Sequence, residues 1–260
     1  MIFYFSGTGN SRAVAEMLAG LRGDNIVCIN PKMIAEEAPE IELGLHDSNF
    51  IWVFPVHSWG LPSPVIKVIR SLVIKSKAMV AHHMVATCGD DCGLTDRMWE
   101  TEIRNRGWEP VGFYTVRMPN TYVGLPFFDV DSPKCRDSKL AAMKARVEEI
   151  SDKIGRGMMC RDIQPGHFAW IKTKVVYPYF MKKMIDPSRF RFERDLCVEC
   201  GRCMDICPTG NLILNPKPER GDNCCGCLAC YHACPAKAIE YGFWTTGKGQ
   251  YYFKAIERKA

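Results

Sequence analysis

Strands alternating with helices over the first 160 residues predict an α/β chain with a doubly wound parallel sheet. Two further observations complete the expectation. The first strand ends in a Gly-rich turn, and two C-x2-C-x2-C-x3-C-P runs lie between Cys197 and Pro235, marking a small second domain. At 260 residues and 29.5 kDa the chain has room for both.

Ile2 to Phe5 is a short apolar run before the Gly-rich turn, a buried strand followed by a loop. Ala13, Val14, Met17, Leu18 and Leu21 then fall at helical spacing, with Ser11 where an N-cap belongs. Ile26 to Ile29 reads as a second strand. Phe50 to Val56 is apolar throughout, as a strand buried on both faces should be. Val65 to Leu72 follows Pro62 and Pro64 as a helix. Met79 to Thr87 is a fourth strand, Leu94 to Arg106 a helix and Val111 to Met118 a fifth strand. Ser138 to Met158 is a long helix with Leu140, Val147, Ile150 and Ile154 inward. The expected organisation is a sheet domain over 1–160, an aromatic and basic connector over 161–195, and a cysteine-rich domain over 196–260. Phe243 to Ile256, with Gly247 and Gly249, reads as a hairpin.

Net charge is +5, unevenly spread. Residues 1–160 hold 18 Lys and Arg against 19 Asp and Glu, whereas residues 161–260 hold 16 against 10. A basic surplus can signal nucleic acid. Eight thiolates around two oxidised four-iron cores would however carry roughly −4 by formal counting, leaving only about +2. Basic residues offsetting anionic clusters are the simpler reading, so no nucleic-acid partner is expected. The opening MIFYFSGTGNS has no basic region before an apolar stretch and no cleavage site, and Phe168 to Ile185 is interrupted by four lysines. A cytoplasmic protein without a transmembrane segment is expected.

Ser6-Gly7-Thr8-Gly9-Asn10-Ser11 joins a strand to a helix, where backbone N–H groups and the helix dipole favour an anion. Three hydroxyls and an amide can donate to phosphate oxygens. No Lys or Arg is present, so this is not a Walker loop, and two glycines do not make a dinucleotide fingerprint. S-x-T-G-x-S at the first strand-to-helix turn resembles the FMN phosphate loop of flavodoxins, whose strand order is 2-1-3-4-5. The resemblance implies FMN, with its ring between the loops after the third and fourth strands. Those loops run over residues 55–62 and 87–93, and their candidate contacts are Pro55, Val56, His57, Ser58, Trp59 and Gly60, and then Thr87, Cys88, Gly89 and Asp90. Trp59 offers a flat face for the ring, with His57 second. The later loop lacks the Tyr usual in that family, and Tyr122 is the substitute nearest in topology. Cys88 and Cys92 read as small pocket-lining residues, and His82 and His83 as core.

Nine of fourteen cysteines lie between 197 and 234. Cys197, Cys200, Cys203 and Cys207 precede Pro208, and Cys224, Cys227, Cys230 and Cys234 precede Pro235. Zinc also uses C-x2-C, but not two 2-2-3 runs each ending in Pro. In such runs three cysteines wrap one 4Fe-4S cluster and the fourth ligates the other. Cluster one is then expected on Cys197, Cys200, Cys203 and Cys234, and cluster two on Cys224, Cys227, Cys230 and Cys207. Cys225 breaks the spacing and reads as a non-ligand. Residues 197–240 resemble bacterial two-cluster ferredoxins, and the whole chain resembles flavodoxin-like/ferredoxin fusion proteins of anaerobic microbes. That resemblance implies electron transfer between FMN, two 4Fe-4S clusters and a redox partner protein. The alternative is an FMN-dependent reductase of a small organic substrate supplied through its clusters; a cluster-based sensor ranks behind both. Aromatic residues of the connector are expected to pack the two domains together rather than to dock a partner or membrane.

Overall fold

The computed structural model describes residues 1–35, 37–44, 48–76, 79–215 and 217–253. Six parallel strands form the main sheet: β1 (Ile2–Tyr4), β2 (Ile26–Cys28), β3 (Asn49–Pro55), β4 (Ala81–Cys88), β5 (Glu109–Arg117) and β6 (Cys160–Asp162), in the order β2-β1-β3-β4-β5-β6. This is the flavodoxin-like order extended by one strand. The addition, β6, crosses the boundary expected at residue 160. Its three residues are too few to show a periodic pattern in sequence. What holds it is tertiary: Arg161 pairs with Asp96 and Glu100, and Asp162 with Arg146 and Lys153.

Side chains of a strand alternate between faces, and β3 divides its residues accordingly. Phe50, Trp52 and Phe54 pack with α2 (Ser63–Ser71) and α3 (Thr95–Asn105). Ile51 and Val53 pack with α1 (Asn10–Arg22) and α4 (Pro133–Gly155). Helices therefore cover both faces, which is why β3 is apolar without alternation. His82 and His83 lie within β4 and are buried; His82 accepts from the Trp52 indole at 3.1 Å and stacks on Trp108.

α1 begins one residue before the expected cap. Gly9, at φ 92, takes the left-handed conformation that closes the turn, so the helix starts at Asn10 and Ser11 falls inside it. Ser11 Oγ instead meets Thr87 Oγ1 at 2.8 Å.

Residues 169–184 form helix α5, interrupted by π-helical turns at Lys172–Val176 and Phe180–Met184 on either side of Pro178. Its inner stripe, Thr173, Tyr177, Phe180 and Met184, is buried, whereas Phe168, Trp170, Ile171, Val175 and Tyr179 are exposed. The connector thus packs with only half of its apolar residues.

The cysteine-rich region repeats itself every 27 residues. Cys197 to Cys207 and Cys224 to Cys234 each lead through a short helix, α6 (Arg202–Asp205) or α7 (Ala229–Ala233), to a strand. These strands are β8 (Leu212–Asn215), paired with β9 (Lys217–Arg220), and β10 (Ile239–Tyr241), paired with β7 (Phe190–Phe192). Positive φ recurs in register at Glu199 and Gly226, Gly201 and Leu228, and Gly210 and Lys237. Two left-handed residues around each middle cysteine curl the chain into a cup, and only one of the two is glycine in each copy. The expected hairpin over 243–256 does not form among the described residues; 254–256 lie outside them. The tail is tied elsewhere: Tyr231 Oη donates toward the carbonyls of Thr245, Lys248 and Gly249, and Phe253 N–H donates to Thr8 O at 2.8 Å.

Candidate functional site

The strand order reverses between β1 and β3, so the loops after these strands diverge and leave a cleft at the carboxyl edge. The turn after β3 is very tight. His57 and Gly60 exchange two backbone hydrogen bonds of 3.0 Å, with Ser58 at φ 47 and Trp59 at φ 63 between them. Two non-glycine residues in the left-handed region store strain of a kind that clusters at ligand sites. Gly60 is required on its other side, where a Cβ would collide with the Tyr177 ring of α5.

The cleft, open to solvent at its mouth, spans about 680 Å³ including that open space. Of the expected cofactor residues, Ser6, Gly7, Thr8, Asn10, Ser11, Pro55, Val56, His57, Ser58, Thr87, Cys88, Gly89 and Tyr122 line it. Trp59 and Asp90 line an adjoining cleft, which shares Val56, Ser58, Cys88, Gly89, Asn120, Tyr122 and Phe180 with the first. Gly9 and Gly60 line neither. Gly9 is backed by the Phe253 carbonyl, and Gly60 by Tyr177. The sequence did not mark Phe180, Gly226 or Cys227 as walls of the phosphate-loop cleft. Phe180 belongs to the buried stripe of α5, and its i+3/i+4 spacing with Tyr177 and Met184 was the available signal.

The loop's polar atoms divide into those that shape it and those left over. Ser6 Oγ accepts from Gly9 N–H at 3.2 Å, and Asn10 Nδ2 donates to Pro119 O at 2.9 Å. Asn10 Oδ1 and the Tyr122 hydroxyl are buried without partners among the described residues. Buried orphans of this kind in a cleft imply a ligand or water that satisfies them. A neutral, hydroxyl-lined anion cradle joined to a cleft with Trp59, Phe128 and Phe180 on its walls fits a phosphate monoester carrying a flat ring.

Acid–base character in the cleft is muted. Burial pushes half-buried His57 down to about 4, so it is neutral at neutral pH. Burial, helped by neighbouring Cys92, raises the Cys88 thiol well above its usual value, and Cys92 is pushed up to about 12. Asp91 is held by Lys172 at 2.7 Å, and the same ammonium lies 5.0 Å from the Trp59 ring centre.

The eight motif cysteines border two further cavities. Cys197, Cys200, Cys203 and Cys234 line one of about 490 Å³. Cys207, Cys224, Cys227 and Cys230 line another of about 390 Å³, with Cys225 alongside. Among the described residues no three His, Cys, Asp or Glu side chains converge on one ion. Thiols spread around a cavity suit a multi-atom cluster better than a single zinc ion. Sulfur acceptors are matched between the repeats: Asn211 N–H donates to Cys207 Sγ and Ala238 N–H to Cys234 Sγ, both at 3.2 Å. Gly226 N–H donates to Cys224 Sγ at 3.4 Å. Such bonds favour the anionic thiolate state a cluster requires.

The two halves meet over several contacts, among them His232 with the Thr121 carbonyl and Lys248 with the carbonyls of Val123 and Phe128, and one of them lies at the phosphate loop. A Cβ on Gly7 would lie 2.9 Å from Cys227 Cβ and 3.4 Å from its Sγ. The phosphate loop therefore rests against the cysteine run itself, while Ile185 and Phe180 of the connector back Gly226.

Residues 190–213 and 221–242 each match a 4Fe-4S binding domain. The chain is 41% identical over 54 residues to an uncharacterised ferredoxin of Methanocaldococcus jannaschii, covering 18% of this chain and 69% of that protein. Among solved structures, an azoreductase from Bacillus anthracis is 10% identical at a TM-score of 0.37, covering 58% of this chain and 98% of its own. The NAD(P)H:quinone oxidoreductase of Methanothermobacter marburgensis is likewise 10% identical at 0.35, covering 57% and 94%. Overlaps that loose add nothing to the strand order, which by itself gives the flavodoxin-like fold. Through its cysteine-rich segment the chain belongs to the 4Fe-4S ferredoxin family, carrying two cluster-binding domains behind a flavodoxin-like sheet.

Proposed function

We propose that the chain transfers electrons between a bound FMN and two 4Fe-4S clusters, and from them to a redox partner protein. Bound FMN would exchange electrons in pairs or singly and each cluster one at a time, so their union converts between the two kinds of carrier. The observation that carries this reading is the packing of Gly7 against Cys227 at the wall of the phosphate-loop cleft. Electron transfer needs short separations, and here the phosphate loop and a cluster cysteine are in van der Waals contact. Cluster two, on Cys207, Cys224, Cys227 and Cys230, is then the one beside the flavin. Cluster one, on Cys197, Cys200, Cys203 and Cys234, lies beyond it with Cys200 exposed, and is the outlet toward a partner.

The chain's own groups favour a relay over reduction of a small organic substrate. His57 is neutral, Asp91 is paired and the Cys88 thiol is held protonated, so these groups around the cleft offer no ready proton donor near pH 7. The backbone N–H groups of Gly7, Thr8 and Asn10 and the Thr8 hydroxyl would hold the phosphate, and Tyr122, Trp59 and Phe180 would exclude water from the ring.

The test is purification without oxygen, assay of flavin and iron, and dithionite titration followed by absorbance and electron paramagnetic resonance. The expected result is one FMN and roughly eight irons per chain, with flavin and cluster signals both titrating. Clusters that titrate in a protein unable to take up FMN would overturn the flavin half of the reading. Rapid reoxidation by one small substrate would favour the reductase.

A further inference from the structure

Helix α5 has two apolar stripes. Thr173, Tyr177, Phe180 and Met184 follow i, i+4, i+7, i+11 and are buried, Phe180 and Met184 lining the cleft and Thr173 and Tyr177 donating hydrogen bonds to the carbonyls of Trp59 and Leu61. Ile171, Val175 and Tyr179 follow i, i+4, i+8 and are 48, 55 and 60% exposed, and Phe168, in the left-handed turn just before the helix, is 76% exposed. Burial falls on the first stripe and exposure on the second, so the second faces away from the protein. Trp170, also exposed, stands beside this stripe rather than on it.

Charge along this helix is of one sign. Between Gly166 and Ile185 there are four lysines and no Asp or Glu. Lys172 is spent on Asp91. Lys174, Lys182 and Lys183 are exposed and flank the outer stripe, and none has an ion pair among the described residues. A second copy docking through this face would set lysines against lysines. Lysine is also depleted in protein–protein interface cores. Aromatic and aliphatic side chains with flanking lysines on one helix face are instead what an anionic headgroup layer accepts: the stripe enters the acyl boundary and the lysines reach phosphate. No helix among the described residues is long and apolar enough to cross a membrane, so attachment would be peripheral.

We propose that the outer face of α5 binds an anionic lipid surface in the plane of the interface. The same helix closes the cleft with its inner face, so attachment would hold the cleft beside the bilayer. This proposal does not depend on the identity of the cofactor.

The test is co-sedimentation of the holoprotein with phosphatidylglycerol/phosphatidylcholine vesicles and with pure phosphatidylcholine vesicles. Binding is expected only to the anionic vesicles, weakening as salt rises. The triple variant K174Q/K182Q/K183Q is expected to lower partitioning roughly 100-fold, at about one kcal/mol per lysine. Val175→Asp should abolish it with the lysines intact. Both substitute exposed residues, and unchanged iron content and melting temperature verify the fold; Tyr179→Asp is a second disruption of the stripe. Failure to sediment with anionic vesicles at low salt, or binding indifferent to all three variants, would overturn the proposal. So would a concentration-dependent dimer sensitive to Val175→Asp without vesicle binding.

Discussion

Replacing Gly7 by alanine tests the joint between the two halves with a single methyl group. Carbon atoms in contact sit about 3.5–4.0 Å apart. The new Cβ would lie 2.9 Å from Cys227 Cβ, 3.4 Å from its Sγ and 3.5 Å from its carbonyl oxygen, so the cysteine run must recede by roughly half an ångström. Overpacking of this kind costs about 1–3 kcal/mol. In a chain this long that is a fall in melting temperature of roughly 2–10 °C. The displaced atom belongs to a cysteine expected to ligate cluster two, so the resonance signal of that cluster should broaden or shift while cluster one is untouched. Gly20→Ala is the matched control. Gly20 lies inside α1 with nothing within 4 Å of its would-be Cβ, and alanine there should stabilise by about 0.5–1 kcal/mol. The assay is anaerobic thermal unfolding with paramagnetic resonance on both variants. If Gly7→Ala melts with wild-type protein and leaves both cluster signals unchanged, the phosphate loop does not bear on the cysteine run, and the proposed order of centres loses its support.

Three further outcomes are expected. Cys225→Ala should retain its full complement of roughly eight irons by colorimetric assay, whereas Cys234→Ser should impair the site formed by Cys197, Cys200 and Cys203 rather than that of its sequence neighbours. Arg161→Ala removes the nearer of two guanidinium groups from Asp96, whose side chain is only 2% exposed, leaving Arg97 at 3.8 Å, and should cost up to about 3 kcal/mol in chemical denaturation; adding Asp96→Asn should recover part of it. Burial holds His82 at about 3 and His83 at about 4, both below the ordinary 6.5. Their contribution is therefore complete above pH 6.5 and declines as pH falls toward 4, because the unfolded chain takes up protons that the folded chain refuses. The loss should be on the order of 3 kcal/mol for each histidine. Urea midpoints across that range should flatten in His82→Gln/His83→Gln relative to wild-type protein, and parallel curves would refute the assignment.

Much of the sheet domain was legible in the sequence because its signals are local. A strand such as Phe50 to Val56 declares burial on both faces by composition alone, and a Gly-rich turn marks where the first strand passes into a helix. The cysteine runs are legible for the same reason, since ligand spacing is dictated by the cup that must form around a cluster. Where the reading missed, distant groups decided. β6 is held by charges on α3 and α4, and the tail by Tyr231 and Thr8. The start of α1 moved because Gly9 could turn left-handed where Ser11 could only have capped.

The sequence by itself determined the doubly wound class, the hydroxyl-rich loop and the repeated cysteine spacing, since each follows from periodicity or covalent reach over a few residues, while the strand order was implied by the resemblance to flavodoxins and is seen in the structure. Only the tertiary structure decided that Gly7 rests on Cys227, that Phe180 and Tyr122 share the cleft with the phosphate loop, and that α5 buries one apolar stripe and exposes the other. Those are contacts between segments more than fifty residues apart, and nothing in the local chain encodes which surfaces will meet when the two halves close on each other.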